Sequence, residues 1–283
     1  MAGHIKTVFL LVLLSGLILF LGRAMGGTTG LYVAGGLALL MNVGSYWYSD
    51  KIVLSAYRAK EVSPSEAPGL HRMVEDLAKA AGIPKPRVCL IPEAAPNAFA
   101  TGRNPEHAVV AVTEGLLRLM SPEELRGVLA HEIGHVVNRD ILIQSLTGVL
   151  ASVVMFVANM LQWGAIFGMG RSSDDNNGGG GGAAGALLLA LLAPIAASLI
   201  QFAISRSREF IADETGARLA GSPQGLASAL LKLTAYSKQA PMRHGGPATA
   251  HLFIVNPFSG GIAGLFSTHP PVEERVRRLQ EMR

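Results

Sequence analysis

His131, Glu132 and His135 stand in the order that brings two imidazoles and a carboxylate to one zinc ion. Residues four apart on a helix lie about one turn apart on the same face, so His131 and His135 can ligate a single metal. Glu132, held just off the metal, can take a proton from a zinc-bound water, whose pKa the metal lowers to about 7. The implied chemistry is hydrolysis, with one Zn2+ per chain as cofactor. Three fixed residues also recur by chance, so the pattern counts only if it sits on a helix. Ser121, Pro122 and Glu124 supply an N-cap, a proline at the first helical position and a glutamate at the third, which together form a capping box. Leu125, Val128, Leu129, Glu132 and Val136 follow at helical spacing.

Two histidines leave a catalytic zinc one protein ligand short. The extended metalloprotease pattern would place a glycine and a third histidine next, but those positions hold Asn138 and Ile141. Glu209, Asp213, Glu214, His244, His251 and His269 have suitable chemistry, and spacing alone does not choose between them. Glu209 and Asp213 lie four apart, so on a helix one can bind metal while the other orients a ligand histidine through its second ring nitrogen. A solvated helix in which Arg206, Arg208 and Arg218 pair these acids fits the same residues.

The elements that must position these groups are unusually apolar. Of 283 residues, 49% are hydrophobic and 16% charged, and the mean hydropathy is +0.36, beyond the range of an ordinary soluble enzyme. Apolar residues gather near 5 to 22, 29 to 48, 141 to 169 and 183 to 204, each close to the ~20 residues that cross a bilayer core as helix. Four membrane-associated helices are predicted. The first pair forms an N-terminal hairpin over 1–49, turned at Gly26 and Gly27. The second pair forms a hairpin over 141–205 with a polar, Gly-rich loop at 171–184. Gln144, Asn159, Gln162 and Pro194 interrupt that second pair, which leaves a buried core hairpin as its alternative. Lys6 precedes the first block as in a signal peptide, but no A-x-A-like site follows it.

On this arrangement all 24 Lys and Arg residues except Arg23 and Arg171 fall on one side, which the positive-inside rule makes the cytoplasm. Topology and anionic lipid account for the sequence pI of 9.4, and no basic patch with interleaved aromatics suggests nucleic acid. Cys89 is the single cysteine, which excludes disulfides within the chain and a cysteine-based metal site. Its apolar surroundings, Val88 to Ile91, point to a buried structural thiol.

Between the hairpins, apolar periodicity predicts a helix from Pro68 to Ala81, stopped by Gly82 and Pro84. Short runs at Arg87 to Ile91, Asn97 to Thr101 and Ala108 to Thr113 predict a small antiparallel sheet. The expected fold is α+β and mainly helical. Residues 50–140 form the first part of a cytoplasmic zincin-type metalloprotease domain, and 206–283 complete it.

His131 to His135, followed after two hydrophobic segments by Ser207 to Asp213, resembles the HtpX family of membrane-embedded zinc metalloproteases, relatives of the CAAX prenyl proteases. The resemblance extends over almost the whole chain and includes the N-terminal hairpin, Asn97 to Gly102, and His269 to Arg275. It implies that Glu209 is the third zinc ligand and Asp213 the orienting carboxylate. It further implies an endopeptidase of the bacterial cytoplasmic (inner) membrane, multi-pass and with its active site facing the cytoplasm. Such an enzyme cleaves misfolded or damaged membrane proteins under stress, so its partners are protein substrates and the lipid bilayer. Asn97 to Gly102 would be an edge strand that pairs with extended substrate. Asn97, His269 and, after it, Arg275 are candidate oxyanion or substrate contacts. Two other readings remain: a narrow prenyl-protein processing protease, for which four apolar blocks form a small chamber, and a non-catalytic zinc-binding membrane scaffold, which would have no use for Glu132.

Overall fold

The computed structural model describes residues 2–146, 206–237, 252–254 and 270–282. A four-stranded sheet stands at the centre, made of β1 (Lys60–Glu61), β2 (Arg87–Ile91), β3 (Ala98–Thr101) and β4 (Val109–Thr113) in the order β1-β2-β4-β3. β2 and β4 run parallel, whereas β1 with β2 and β3 with β4 run antiparallel. The sheet is therefore mixed, which corrects the antiparallel expectation. Turn residues between β2, β3 and β4 mark where the chain reverses but not which strands become neighbours. Here β4 inserts between β2 and β3 and leaves β3 at the edge. Every residue of β4 is buried, as its run Val-Val-Ala-Val-Thr suits a strand covered on both faces.

One face of the sheet packs on helices. Val88, Ala100, Val110 and Val112 meet Leu70, Val74 and Leu77 of α2 (Pro68–Ala81) and Val128, Leu129 and Ile133 of α4 (Pro122–Val137). α2 has the bounds its sequence predicts, with proline in its first turn and Gly82 closing it at φ 66°. α3 (Glu114–Leu119) follows β4 directly, capped by Thr113. The other face packs on Val53 and Leu54 at the end of α1 (Ala2–Ala56) and on Tyr57 just beyond it. There the rings of Tyr57, Phe99 and Phe253 lie 5.0 to 5.6 Å apart, in the tilted and edge-to-face geometries aromatic pairs favour.

α4 opens with the predicted capping box: Ser121 accepts from the Glu124 amide, and Glu124 accepts from the Ser121 amide. The Glu124 carboxylate also accepts from Ser228 at 2.6 Å and Lys232 at 2.7 Å. These bonds tie α4 to α6 (Gln224–Ser237), and α5 (Arg206–Ala220) and α7 (Val272–Glu281) complete the helical layer. Within α1, Gly26 and Gly27 leave helical φ/ψ, so the helix is two arms joined at the expected turn. No helix among the described residues is long and apolar enough to cross a membrane, so the four expected membrane helices are not found among them. The second hairpin and the loop at 171–184 lie, apart from residues 141–146, outside the described residues.

Candidate metal centre

α4 presents His131 and His135 on one face, and the first turn of α5 brings Glu209 against them. One donor atom from each of the three residues falls within 4.8 Å of the others, and all three are buried. His131 Nε2 is 3.7 Å from Glu209 Oε2, and His135 Nε2 is 3.6 Å from Oε1. These gaps are too long for hydrogen bonds. Two atoms each about 2.1 Å from one tetrahedral ion would lie roughly 3.4 Å apart. Two imidazoles and one carboxylate are also the donor set of a catalytic zinc site with an open fourth position, so the residues fit such a metal.

Each histidine turns its other ring nitrogen to an acid. His131 Nδ1 is 2.9 Å from Asp213 Oδ1. Asp213 in turn accepts a bidentate pair from Arg275, Nε to Oδ2 at 2.8 Å and Nη2 to Oδ1 at 2.7 Å. Burial works to raise the Asp213 carboxyl, but Arg275 and the bond from His131 override it and hold it low. Burial pushes the His131 imidazole down to about 4 against the pull of Asp213, so His131 is neutral, the form that ligates metal. His135 Nδ1 faces Asp140 Oδ2 at 3.4 Å and Gln144 Nε2 at 3.5 Å. Burial opposes a charge on His135, yet Asp140, Glu209 and Glu132 outweigh it and raise the imidazole to about 9. A bound cation would take the place of that proton.

Glu132 lies beside the cluster, 2% exposed, with Oε2 accepting from the Ala100 amide of β3 at 2.9 Å. Burial pushes its carboxyl up to about 8; His135 opposes the rise and Glu209 adds to it. Without a cation this group is mostly the neutral acid at pH 7, and a cation at the donor point would draw it toward the carboxylate.

The remaining expected residues fall differently. Asn97 leads into β3 and is buried; its amide donates to Thr113 Oγ1 at 2.8 Å and its Oδ1 accepts from the Ala98 amide at 3.1 Å. It shapes the entry to the edge strand. Arg275 is fully buried, bonds Asp213 and donates to the Ile254 carbonyl at 2.9 Å, so it braces the metal cluster and does not face a cleft. Glu214 pairs with Arg218 on the surface. His244, His251 and His269 lie outside the described residues. Sequence reasoning missed Asp140 and the Ala100 amide, and gave Arg208 only as a partner for the acids of its own helix. Asp140 follows the end of α4, where helical periodicity no longer predicts facing.

Known proteins share this arrangement of chain. The family model for peptidase family M48 matches residues 64–283. A protein named Protease HtpX homolog from Syntrophobacter fumaroxidans is 59% identical over 283 residues, covering 100% of both chains. Its namesake from Pyrococcus furiosus is 54% identical over 279 residues, 98% of this chain and 95% of that one. The crystal structure of S. mikatae Ste24p superposes with a TM-score of 0.54 at 19% identity, covering 98% of this chain and 65% of that chain, a likeness of fold. The chain belongs to peptidase family M48 as an HtpX-type protease, a metallopeptidase that hydrolyses peptide bonds.

Proposed function

We propose that this chain is a membrane-bound zinc endopeptidase that degrades misfolded or damaged membrane proteins, with His131, His135 and Glu209 as ligands and Glu132 as the base. The observation that carries the reading is the convergence of those three donors on one buried point with Glu132 beside them. Zn2+ at that point supplies Lewis-acid chemistry, polarising a peptide carbonyl and lowering the pKa of a water. Glu132 takes the proton of the attacking water and passes it to the leaving amine. The Ala100 amide fixes Oε2 of that carboxylate, which aims the group. β3 is the edge strand among the described residues and lies next to Glu132, which holds its Ala100 amide; an extended peptide laid along that strand would gain backbone bonds to its remaining groups with little demand on side chains. Residues 50–140 and 206–283 together make this catalytic unit.

Membrane attachment through the N-terminal hairpin is supported by what its arms expose. Phe20, Tyr32, Val33, Leu39 and Leu40 are each 65 to 75% exposed, apolar side chains that a bilayer would cover. The arms approach so closely that a Cβ on Gly30 would lie 2.1 Å from the Gly22 carbonyl oxygen, the small-residue contact that membrane helices favour. Tyr46, Trp47 and Tyr48 follow, with Lys51 over the Tyr48 ring and Arg103 over Trp47. Aromatic and basic residues in this order suit the cytoplasmic headgroup level. Prenyl processing has a likeness of fold to Ste24p in its favour and no observation at the site.

Metal content and casein cleavage of detergent-solubilised variants test the assignment. Glu132→Gln keeps all three ligands, so it retains zinc while hydrolysis falls roughly 100 to 10,000-fold. Glu209→Ala loses zinc as well. Full activity in the first variant, or full zinc in the second, overturns the roles given. Proteins that accumulate in cells carrying Glu132→Gln then identify substrates: many membrane proteins support quality control, and one prenylated protein supports the narrower enzyme.

A further inference from the structure

We infer that Asp140 is a positioning residue that holds His135 for the metal, as Asp213 holds His131, with Arg208 as its anchor. This rests on the metal-site reading above. His135 Nε2 faces Glu209. A neutral imidazole that gives Nε2 to a metal carries its proton on Nδ1, and a buried N–H needs an acceptor. The carboxylate in that place is Asp140, 6% exposed, with Oδ2 at 3.4 Å from Nδ1.

The end of α4 is built to deliver it. The Arg139 amide donates to the Val136 carbonyl at 3.1 Å and the Asp140 amide to the His135 carbonyl at 2.9 Å, the bond pair of a Schellman turn. That turn folds residue 140 back onto the turn of helix that bears His135. It needs a left-handed residue, usually glycine, yet Arg139 occupies it at φ 58°. Arg208 supplies the counter-charge to that carboxylate, its Nη1 3.0 Å from Oδ1 in an ion pair without hydrogen-bond alignment and its side chain only 11% exposed. Arg208 immediately precedes Glu209, so the turn of α5 that carries the third donor also carries the anchor for the orienting acid. Each histidine therefore has its own carboxylate and guanidinium: Asp213 with Arg275 for His131, and Asp140 with Arg208 for His135.

The test is zinc affinity of the full-length, detergent-solubilised protein, measured by chelator competition, with the visible spectrum of the cobalt-loaded protein as a second readout. Asp140→Asn keeps the volume and removes the charge. It should weaken zinc binding by roughly 10 to 100-fold and alter the cobalt spectrum, by more than any fall in the melting temperature of the metal-free protein from the unpaired Arg208 accounts for. Arg208→Met should weaken binding in the same direction, and Arg208→Lys should recover part of the loss. Wild-type affinity in Asp140→Asn overturns the inference, as does a loss of affinity that merely follows a lower melting temperature of the metal-free protein. If Asp140→Asn does not fold, wild-type affinity and cobalt spectrum in Arg208→Met overturn it. A wild-type protein that binds no zinc refutes the metal site itself.

Discussion

Gly216 of α5 rests against the backbone of His131: a Cβ placed on Gly216 would lie 2.8 Å from both the amide nitrogen and the Cα of that histidine. Glu209, Asp213 and Gly216 recur at helical spacing and so form one stripe of α5 facing α4. The first supplies a metal donor, the second orients His131, and the third sets how closely the helices approach. Gly216→Ala must push α5 outward, because the clash is with backbone and no side chain can yield. Overpacking of this kind costs about 1 to 3 kcal/mol, and displacement of Glu209 should reduce bound zinc and peptide hydrolysis together. Metal content and thermal unfolding of the variant measure both; full zinc occupancy would show that the site tolerates a wider helix spacing.

Arg275 and Asp213 make a second prediction. Both are buried, and Arg275 satisfies both carboxylate oxygens. Arg275→Met removes the cation and leaves the acid without its counter-charge, a change that costs about 3 to 5 kcal/mol when a buried pair is broken. The double variant Arg275→Met with Asp213→Asn should recover much of that stability without recovering zinc affinity, because His131 then lacks its carboxylate. Denaturant unfolding of the two variants separates these effects. Equal stability in both would mean that Asp213 is relieved in some other way.

Local signals made some parts of this molecule readable in advance. α2 and the start of α4 are marked by proline, serine, glutamate and glycine at fixed helix-end positions, and such preferences depend on the nearest few residues alone. Glu209 and Asp213 became assignable through resemblance, since spacing alone did not choose among six acids and histidines. Strand order was not readable, because β2 pairs with β4 through contacts that no local pattern encodes. Arg275 lies 62 residues from Asp213, and nothing in its spacing points there. Asp140 escaped for a different reason: its turn runs through Arg139 in a conformation that glycine would have announced.

The turn of α1 at Gly26 and Gly27 and the sheet domain should be accessible from opposite sides of the membrane, the turn from outside and the sheet from the cytoplasm. Thiol labelling can test this because the native cysteine is silent. Cys89 is 2% exposed, and burial pushes its thiol up to about 11, with Glu61 adding to the rise. At pH 8 only about one thiol in a thousand would then be the reactive thiolate. Thr28 and Ser65 are exposed positions on the turn and in the segment before α2. In intact cells an impermeant maleimide should label Thr28→Cys and spare Ser65→Cys, which should react only after the membrane is opened. Wild-type protein should stay unlabelled in both conditions until denaturant exposes Cys89. Labelling of Ser65→Cys with Thr28→Cys protected would invert the topology and place the catalytic unit outside the cytoplasm.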